Sequence, residues 1–169
     1  MVLVTAFTPF GGFSENMSMK VLELLPGTVN KLVVPTSYEG AFNELKKYID
    51  ANSPSAIVLL GQAPRDKINV ERVAINVADA ALPDNDGVVL TDAPLIEGGP
   101  AAYFSTLPIK KMIAAADARI SDSAGTYVCN SLMYKALNYV SVPCGFVHIP
   151  QSGDPRYFAA ELMKMVNCI

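Results

Sequence analysis

The sequence predicts an α/β fold built on a mostly parallel sheet that is covered on both faces. Short β-type runs alternate along the chain with longer segments of helical period. The strand-like runs are nearly continuous apolar stretches, as expected of strands buried on both sides rather than one. The length, 169 residues, suffices for one core and falls short of two ordinary ones, so residues 1–169 are expected to form a single domain.

The elements follow in order. VLVTAF (2–7) reads as the opening strand, and residues 17–25 read as a helix because Val21, Leu24 and Leu25 recur at helical spacing. KLVVPT (31–36) is the second strand, followed by a helix over 39–50 with Ala41, Phe42, Leu45, Tyr48 and Ile49 on one stripe. AIVLLG (56–61) and RVAINVA (72–78) are the next two strands. Residues 79–100 are the least regular, with Pro83, Asp84, Asn85, Asp86 and Gly87 as a turn cluster, and a stretch this long suggests a functional or interface loop. Helices are expected over 107–117 and 130–140, and GFVHIP (145–150) is the last strand. Asp154 followed by Pro155 supplies an N-cap and a first-turn residue for a final helix reaching about Asn167.

Composition narrows the function. With 51% hydrophobic and 17% charged residues and a mean hydropathy of +0.29, the chain is globular and apolar enough to cover a subunit interface as well as a core. A net charge of −3 and no block of Lys or Arg argue against nucleic acid or an anionic membrane surface as partner, leaving small molecules or peptides. The N-terminus MVLVTAFTPFGG has no basic leader and meets Pro and Gly early, so neither a signal peptide nor a membrane span is expected, and the cytosol is the expected location. Three cysteines without CxxC spacing and a lone histidine support neither a disulfide framework nor a zinc site. FGGF lacks dinucleotide-fingerprint spacing and no Walker-type motif occurs, so no cofactor is expected.

Three residues carry candidate chemistry. Cys129 falls in the first turn of the helix that follows AGTYV, where unpaired N–H groups favour a thiolate and can hold an oxyanion. By position alone a small buried hydrophobe is the commoner role for such a cysteine. His148, near the end of GFVHIP with Phe146 on its own face, is the only ordinary candidate base. Glu71 precedes RVAIN and could orient the imidazole, but Asp79, Asp84, Asp86 and Asp122 compete for that role and spacing does not choose among them.

Four segments in one order add a resemblance. VLVTAFTPFGGFSENMS, GQAPRDKINVERVAINVADAALPDNDG, SAGTYVCNSLMY and GFVHIP together resemble the pyroglutamyl peptidase I (pyrrolidone-carboxylate peptidase) family of cysteine peptidases, over about residues 2 to 150. The resemblance implies a three-layer α/β/α fold around a twisted mixed sheet like that of nucleoside phosphorylases, and a homo-oligomer, commonly a tetramer. It implies no cofactor and peptides with N-terminal pyroglutamate as substrates. It makes Cys129 the nucleophile, His148 the general base and then acid, and Glu71 the group orienting His148. It points to Phe7, Phe10, Asn16 and Gln62 for the lactam pocket, with Tyr127 and Val128 as the adjacent wall. Several positions depart from the family pattern. Ala6 stands for glycine, QAPR for QAGGR, Ala81 for arginine and Ser131 for histidine, and Arg65 is the candidate to replace the arginine missing at 81. Two other readings compete, a different small amidase or acyl transferase and a catalytically weakened binding module for lactam-capped peptides.

Overall fold

A computed structural model describes residues 1–169. The elements run β1 (Val2–Phe7), α1 (Met17–Leu24), β2 (Asn30–Val34), α2 (Gly40–Asn52), β3 (Ala56–Ala63), β4 (Ile68–Glu71), β5 (Val73–Ile75), β6 (Ala102–Phe104), α3 (Ile109–Ala115), β7 (Ala118–Ser121), α4 (Val128–Tyr139), β8 (Cys144–Pro150) and α5 (Pro155–Val166). Six strands form one sheet in the order β2-β1-β3-β8-β4-β7, while β5 and β6 make a separate two-stranded ribbon. Every neighbouring pair in the large sheet is parallel except β4 with β8, so the sheet is mixed and mostly parallel, as the sequence implies.

The apolar runs serve two cores because successive side chains point to opposite faces. Val4 and Ala6 of β1, Val58 and Leu60 of β3, and Val147 and Ile149 of β8 pack against α1, α3 and α5. Leu3 and Phe7, Ile57 and Leu59, and Cys144 and Phe146 of the same strands pack against α2 and α4. This gives the α/β/α layering. It also sets the face of each functional candidate, since His148 shares the α4 side with Phe146, and Ile68 and Val70 face the other way from Glu71.

Most helices match their sequence signals. Asp154 caps α5 by accepting from the Arg156 N–H at 2.9 Å, with Pro155 at its first position. In α1 the buried stripe is Met17, Val21, Leu22 and Leu25, whereas Leu24 is 48% exposed and does not join it. The helix expected over 107–117 is confined to Ile109–Ala115, starting after Pro108, and the one expected over 130–140 starts two residues earlier at Val128.

The chief correction lies between 68 and 78. The run 72–78 is not one strand: β4 ends at Glu71, Arg72 leaves the large sheet, and only Val73–Ile75 forms a strand, paired with Ala102–Phe104 of the ribbon. The Arg72 N–H goes to the Ser121 carbonyl while its own carbonyl accepts from Ser105, and this exchange of partners is where the chain changes sheets. The short strands β4, β6 and β7 escape a periodicity reading because three or four residues do not establish a period. The second strand likewise stops at Val34, before Pro35, which has no N–H to extend the ladder. None of the helices is long and apolar enough to cross a membrane.

Residues 79–100 hold no helix or strand, only an isolated bridge between Ala78 and Ala93, yet side chains pin them closely. The buried Asp84 carboxylate accepts from the N–H groups of Tyr38 at 2.9 Å, Asp86 at 3.0 Å and Val88 at 2.8 Å. Asp84→Ala leaves those donors unpaired, so it should lower unfolding free energy by about 2 kcal/mol or more, with Asp84→Asn intermediate, as read from urea midpoints.

Candidate active site

The carboxyl ends of β3 and β8 and the start of α4 converge on one point. Gly61 of β3 is the register partner of His148 on β8. A Cβ on Gly61 would lie 2.9 Å from the Cys129 sulfur and 2.8 Å from the Phe146 ring, so only glycine lets the thiol settle on the sheet beside the imidazole. The Phe146 and His148 rings sit 4.7 Å apart between centroids.

The base position is fixed from below. Glu71 is fully buried and His148 is 4% exposed, and the Glu71 Oε1 to His148 Nδ1 distance is 2.8 Å. Because β4 runs antiparallel to β8, Asn69 lies opposite His148 and Glu71 opposite Phe146, so Glu71 reaches the imidazole diagonally from two residues deeper in the sheet. Glu71 therefore ends a buried strand, β4, and does not lead into one over 72–78. The rival carboxylates are engaged elsewhere: Asp79 is exposed beside Thr126, Asp84 holds its own loop, Asp86 bonds Ser37 and Asp122 pairs with Arg72.

Electrostatics favour a charged imidazole. Burial alone would push the His148 pKa down, but the neighbouring Cys129 sulfur and the Glu71 carboxylate outweigh it and raise the value from 6.5 to about 9. Cys144 differs, since burial without a partner pushes its thiol up to about 12. Cys168 is half-exposed and donates to the Lys164 carbonyl at 3.3 Å. All three thiols are free. No group of three or more His, Cys, Asp or Glu side chains gathers as a metal site.

The start of α4 adds hydrogen-bond donors. Its N-cap, Tyr127, makes no side-chain cap bond, and the first helical amide with a backbone partner is Ser131, which donates to the Tyr127 carbonyl. The N–H groups of Val128, Cys129 and Asn130 are thus left at the positive end of the helix, beside the thiol. This arrangement can ionise a thiol, direct it at a carbonyl carbon and hold the oxyanion that results.

The expected pocket residues divide. Phe10 packs on Phe13 and Tyr127 with centroids 6.2 and 6.0 Å apart, and Tyr127 packs edge-on against Tyr38 at 5.7 Å. Phe7 and Val128 belong to the core beneath this cluster. Asn16 is buried as the N-cap of α1, accepting from Ser18 and donating to the Thr8 carbonyl, and Gln62 accepts from the Met17 N–H at 2.7 Å. Both amides thus brace the first loop and α1. Arg65 donates to the Ser123 carbonyl at 3.3 Å, touching the loop that leads to Cys129, while Ala81 is exposed. Sequence reading missed Gly61 and Tyr38.

The chain has a single histidine, so its imidazole resonances are unambiguous in NMR. Below pH 6.5 the charged form contributes its full stabilisation, and that contribution is lost as pH rises through about 9. The titration should therefore lie well above 6.5 in the parent and move down in both Cys129→Ala and Glu71→Gln. A midpoint unmoved by either change contradicts the pairing.

The chain as a whole is similar to known proteins. The family model for pyroglutamyl peptidase matches residues 1–157. The chain is 45% identical over 165 residues to pyrrolidone-carboxylate peptidase 1 of Caldanaerobacter subterraneus subsp. tengcongensis, covering 88% of this chain and 81% of that protein. It is 42% identical over 169 residues to the pyrrolidone-carboxylate peptidase of Thermococcus kodakarensis, covering 90% and 82%. Among solved structures, pyroglutamyl peptidase I from Bacillus amyloliquefaciens superposes with a TM-score of 0.94 at 32% identity, over 99% of this chain and 93% of that one. Pyrrolidone carboxyl peptidase from Thermus thermophilus gives 0.94 at 33% identity with both chains covered in full. Sequence and fold agree across almost the whole chain, which therefore belongs to the pyroglutamyl peptidase family.

Proposed function

We propose that this protein is a thiol hydrolase that removes N-terminal pyroglutamate from peptides, with Cys129 as nucleophile, His148 as base and acid, and Glu71 as the group that orients His148. The observation that carries the assignment of roles is the convergence of the Cys129 sulfur and the Glu71-bound imidazole over Gly61.

The chemistry follows from the positions. His148 takes the Cys129 proton, and the thiolate attacks the carbonyl carbon that joins the pyroglutamyl residue to the peptide. The carbonyl oxygen becomes an oxyanion held by the free N–H groups at the start of α4. The C–N bond breaks as the imidazolium gives its proton to the departing amine, leaving a thioester on Cys129. Water then attacks the thioester, deprotonated by His148, and pyroglutamate leaves with the thiol restored. Glu71 holds the proton on Nδ1, so Nε2 is the nitrogen that exchanges protons at the reaction centre. Phe10 and Tyr127 bury the uncharged ring, with Phe7 and Val128 supporting them from the core.

A homo-oligomer, with the tetramer as the form expected from the resemblance, is supported by exposed apolar side chains on the ribbon and the 79–100 segment, notably Ile75, Val88, Val89 and Phe104. A reducing cytosolic setting suits three free thiols, one of them the proposed nucleophile.

Release of aminocoumarin from a pyroglutamyl amide tests the assignment. Cys129→Ala should abolish turnover with the fold intact, while Cys144→Ser and Cys168→Ser stay active. His148→Ala should be nearly inactive, and Glu71→Gln should keep a trace, since the amide can still accept from Nδ1 but gives no charge to the imidazolium. Comparable activity in Cys129→Ala and the parent would sink the nucleophile assignment. Glutamyl amides should be ignored, because their ammonium and carboxylate cannot be solvated between Phe10 and Tyr127. Similar kcat/KM for pyroglutamyl and glutamyl amides would rule out this ring site.

A further inference from the structure

We propose that Asn130, the residue after the thiol, is a positioning residue whose side-chain amide sets where the start of α4, and with it the Cys129 sulfur, sits over the sheet. The inference rests on the thiol reading above.

Asn130 is 1% exposed and nearly saturated. Its Oδ1 accepts from the Ile75 N–H at 2.9 Å, and its Nδ2 donates to the carbonyls of Ile75 at 2.9 Å and Val77 at 3.0 Å. The Ile75 peptide groups thus meet an amide that donates and accepts as a neighbouring strand would. On its other edge β5 pairs with β6, so a side chain from α4 takes the place of the missing strand. The helix needs this anchor because Tyr127 offers no side-chain cap.

Neighbouring contacts lie in the same seam. Asp79 and Thr126 exchange two hydrogen bonds, of 3.0 and 2.6 Å, and the Tyr127 hydroxyl donates to the Pro83 carbonyl at 3.0 Å. Residues 126–130 are therefore zipped along residues 75–83. The Thr126 and Tyr127 side-chain contacts are partly open to solvent, whereas the Asn130 bonds are shielded and cost more to lose. Only Asn130 lies inside the helical turn that carries the sulfur. A shift of α4 by a fraction of an ångström moves that sulfur against Gly61 and His148, and misplacement of about 1 Å in a reacting group costs on the order of 100-fold in rate.

Asn76 provides an internal control. Its side chain makes the same kind of clamp on Leu95, Ile96 and Gly99, but it is not part of α4. Both residues can be replaced by alanine in a Cys168→Ser background, so that the buried Cys144 leaves Cys129 as the accessible thiol. The measurements are urea stability, kcat and KM on pyroglutamyl-aminocoumarin, and the rate of alkylation by iodoacetamide at one fixed pH. Both variants should lose stability. Asn130→Ala alone should lower kcat by about 10- to 100-fold with KM changed by less than about threefold, and should change the alkylation rate of Cys129.

An Asn130→Ala protein with the parent's kcat and alkylation rate overturns the proposal, as does an equal change of both in Asn76→Ala. If Asn130→Ala does not fold, Asn130→Ser, which keeps a hydroxyl to meet Ile75, is put through the same comparison. The two readings fail separately. A parent that does not cleave the amide, but whose Cys129 alkylation rate changes in Asn130→Ala and not in Asn76→Ala, removes the substrate assignment and keeps the positioning role.

Discussion

A carboxylate without exposed surface is tolerated only when something charged or hydrogen-bonding meets it, and in this fold that something is one imidazole. Glu71 and His148 are buried together, and the energetic demand of the carboxylate explains why β4 enters the sheet where it does, against the direction of β8 and shielded at the edge by β7. Parallel insertion would have placed successive residues of β4 beside their counterparts in β8 with both carboxyl ends at the mouth. Antiparallel insertion instead brings Glu71 up from inside the layer, where Phe146 is its register partner and Arg72 turns the chain out of the large sheet into the ribbon. Three strands and the break between two sheets are thus arranged around a single hydrogen bond.

The layered fold was legible in the sequence because long apolar strands and helices with clear periods dominate it. VLVTAF, AIVLLG and GFVHIP each divide their side chains between two cores, and Asp154-Pro155 marks the start of α5 with a local mechanism that needs no tertiary context. Cys129 was legible as a helix-start thiol for the same reason. Spacing alone did not single out the partner of His148, because five carboxylates were available; the family resemblance pointed to Glu71, and pairing across strands distant in sequence is what brings it there. The run RVAINVA reads as one strand, and nothing in its composition announces that Arg72 takes hydrogen-bond partners from two different segments. Asn16 and Gln62 illustrate the opposite difficulty. Their residue types suit a lactam, yet one caps a helix and the other receives that helix's first N–H, so at these positions a polar side chain first serves the loop that frames the mouth.

The 76–101 segment shows how an irregular stretch can be ordered without secondary structure. Asp84 gathers three backbone donors, Asn76 collects both donors and acceptors from 95–99, and Asn85 reaches back to the Pro9 carbonyl. Short polar side chains that compete with the backbone are poor helix and strand formers for the same reason that they are good staples here. Their result is an aromatic mouth, Phe10 against Tyr127 and Tyr127 against Tyr38, whose members come from three loops that would otherwise be independent.

The depth of Glu71 has a consequence for how this chemistry responds to its medium. Mobile ions screen charges that face water over about 8 Å at physiological ionic strength, but they do not enter a closed protein layer. The carboxylate and the imidazole meet where no counterion can come between them. Their coupling should therefore stay nearly constant from dilute buffer to molar salt, while exposed pairs such as Lys47 with Glu44 fade. The proton-transfer machinery is in this sense insulated from the ionic composition of the solution in which its peptide substrates diffuse.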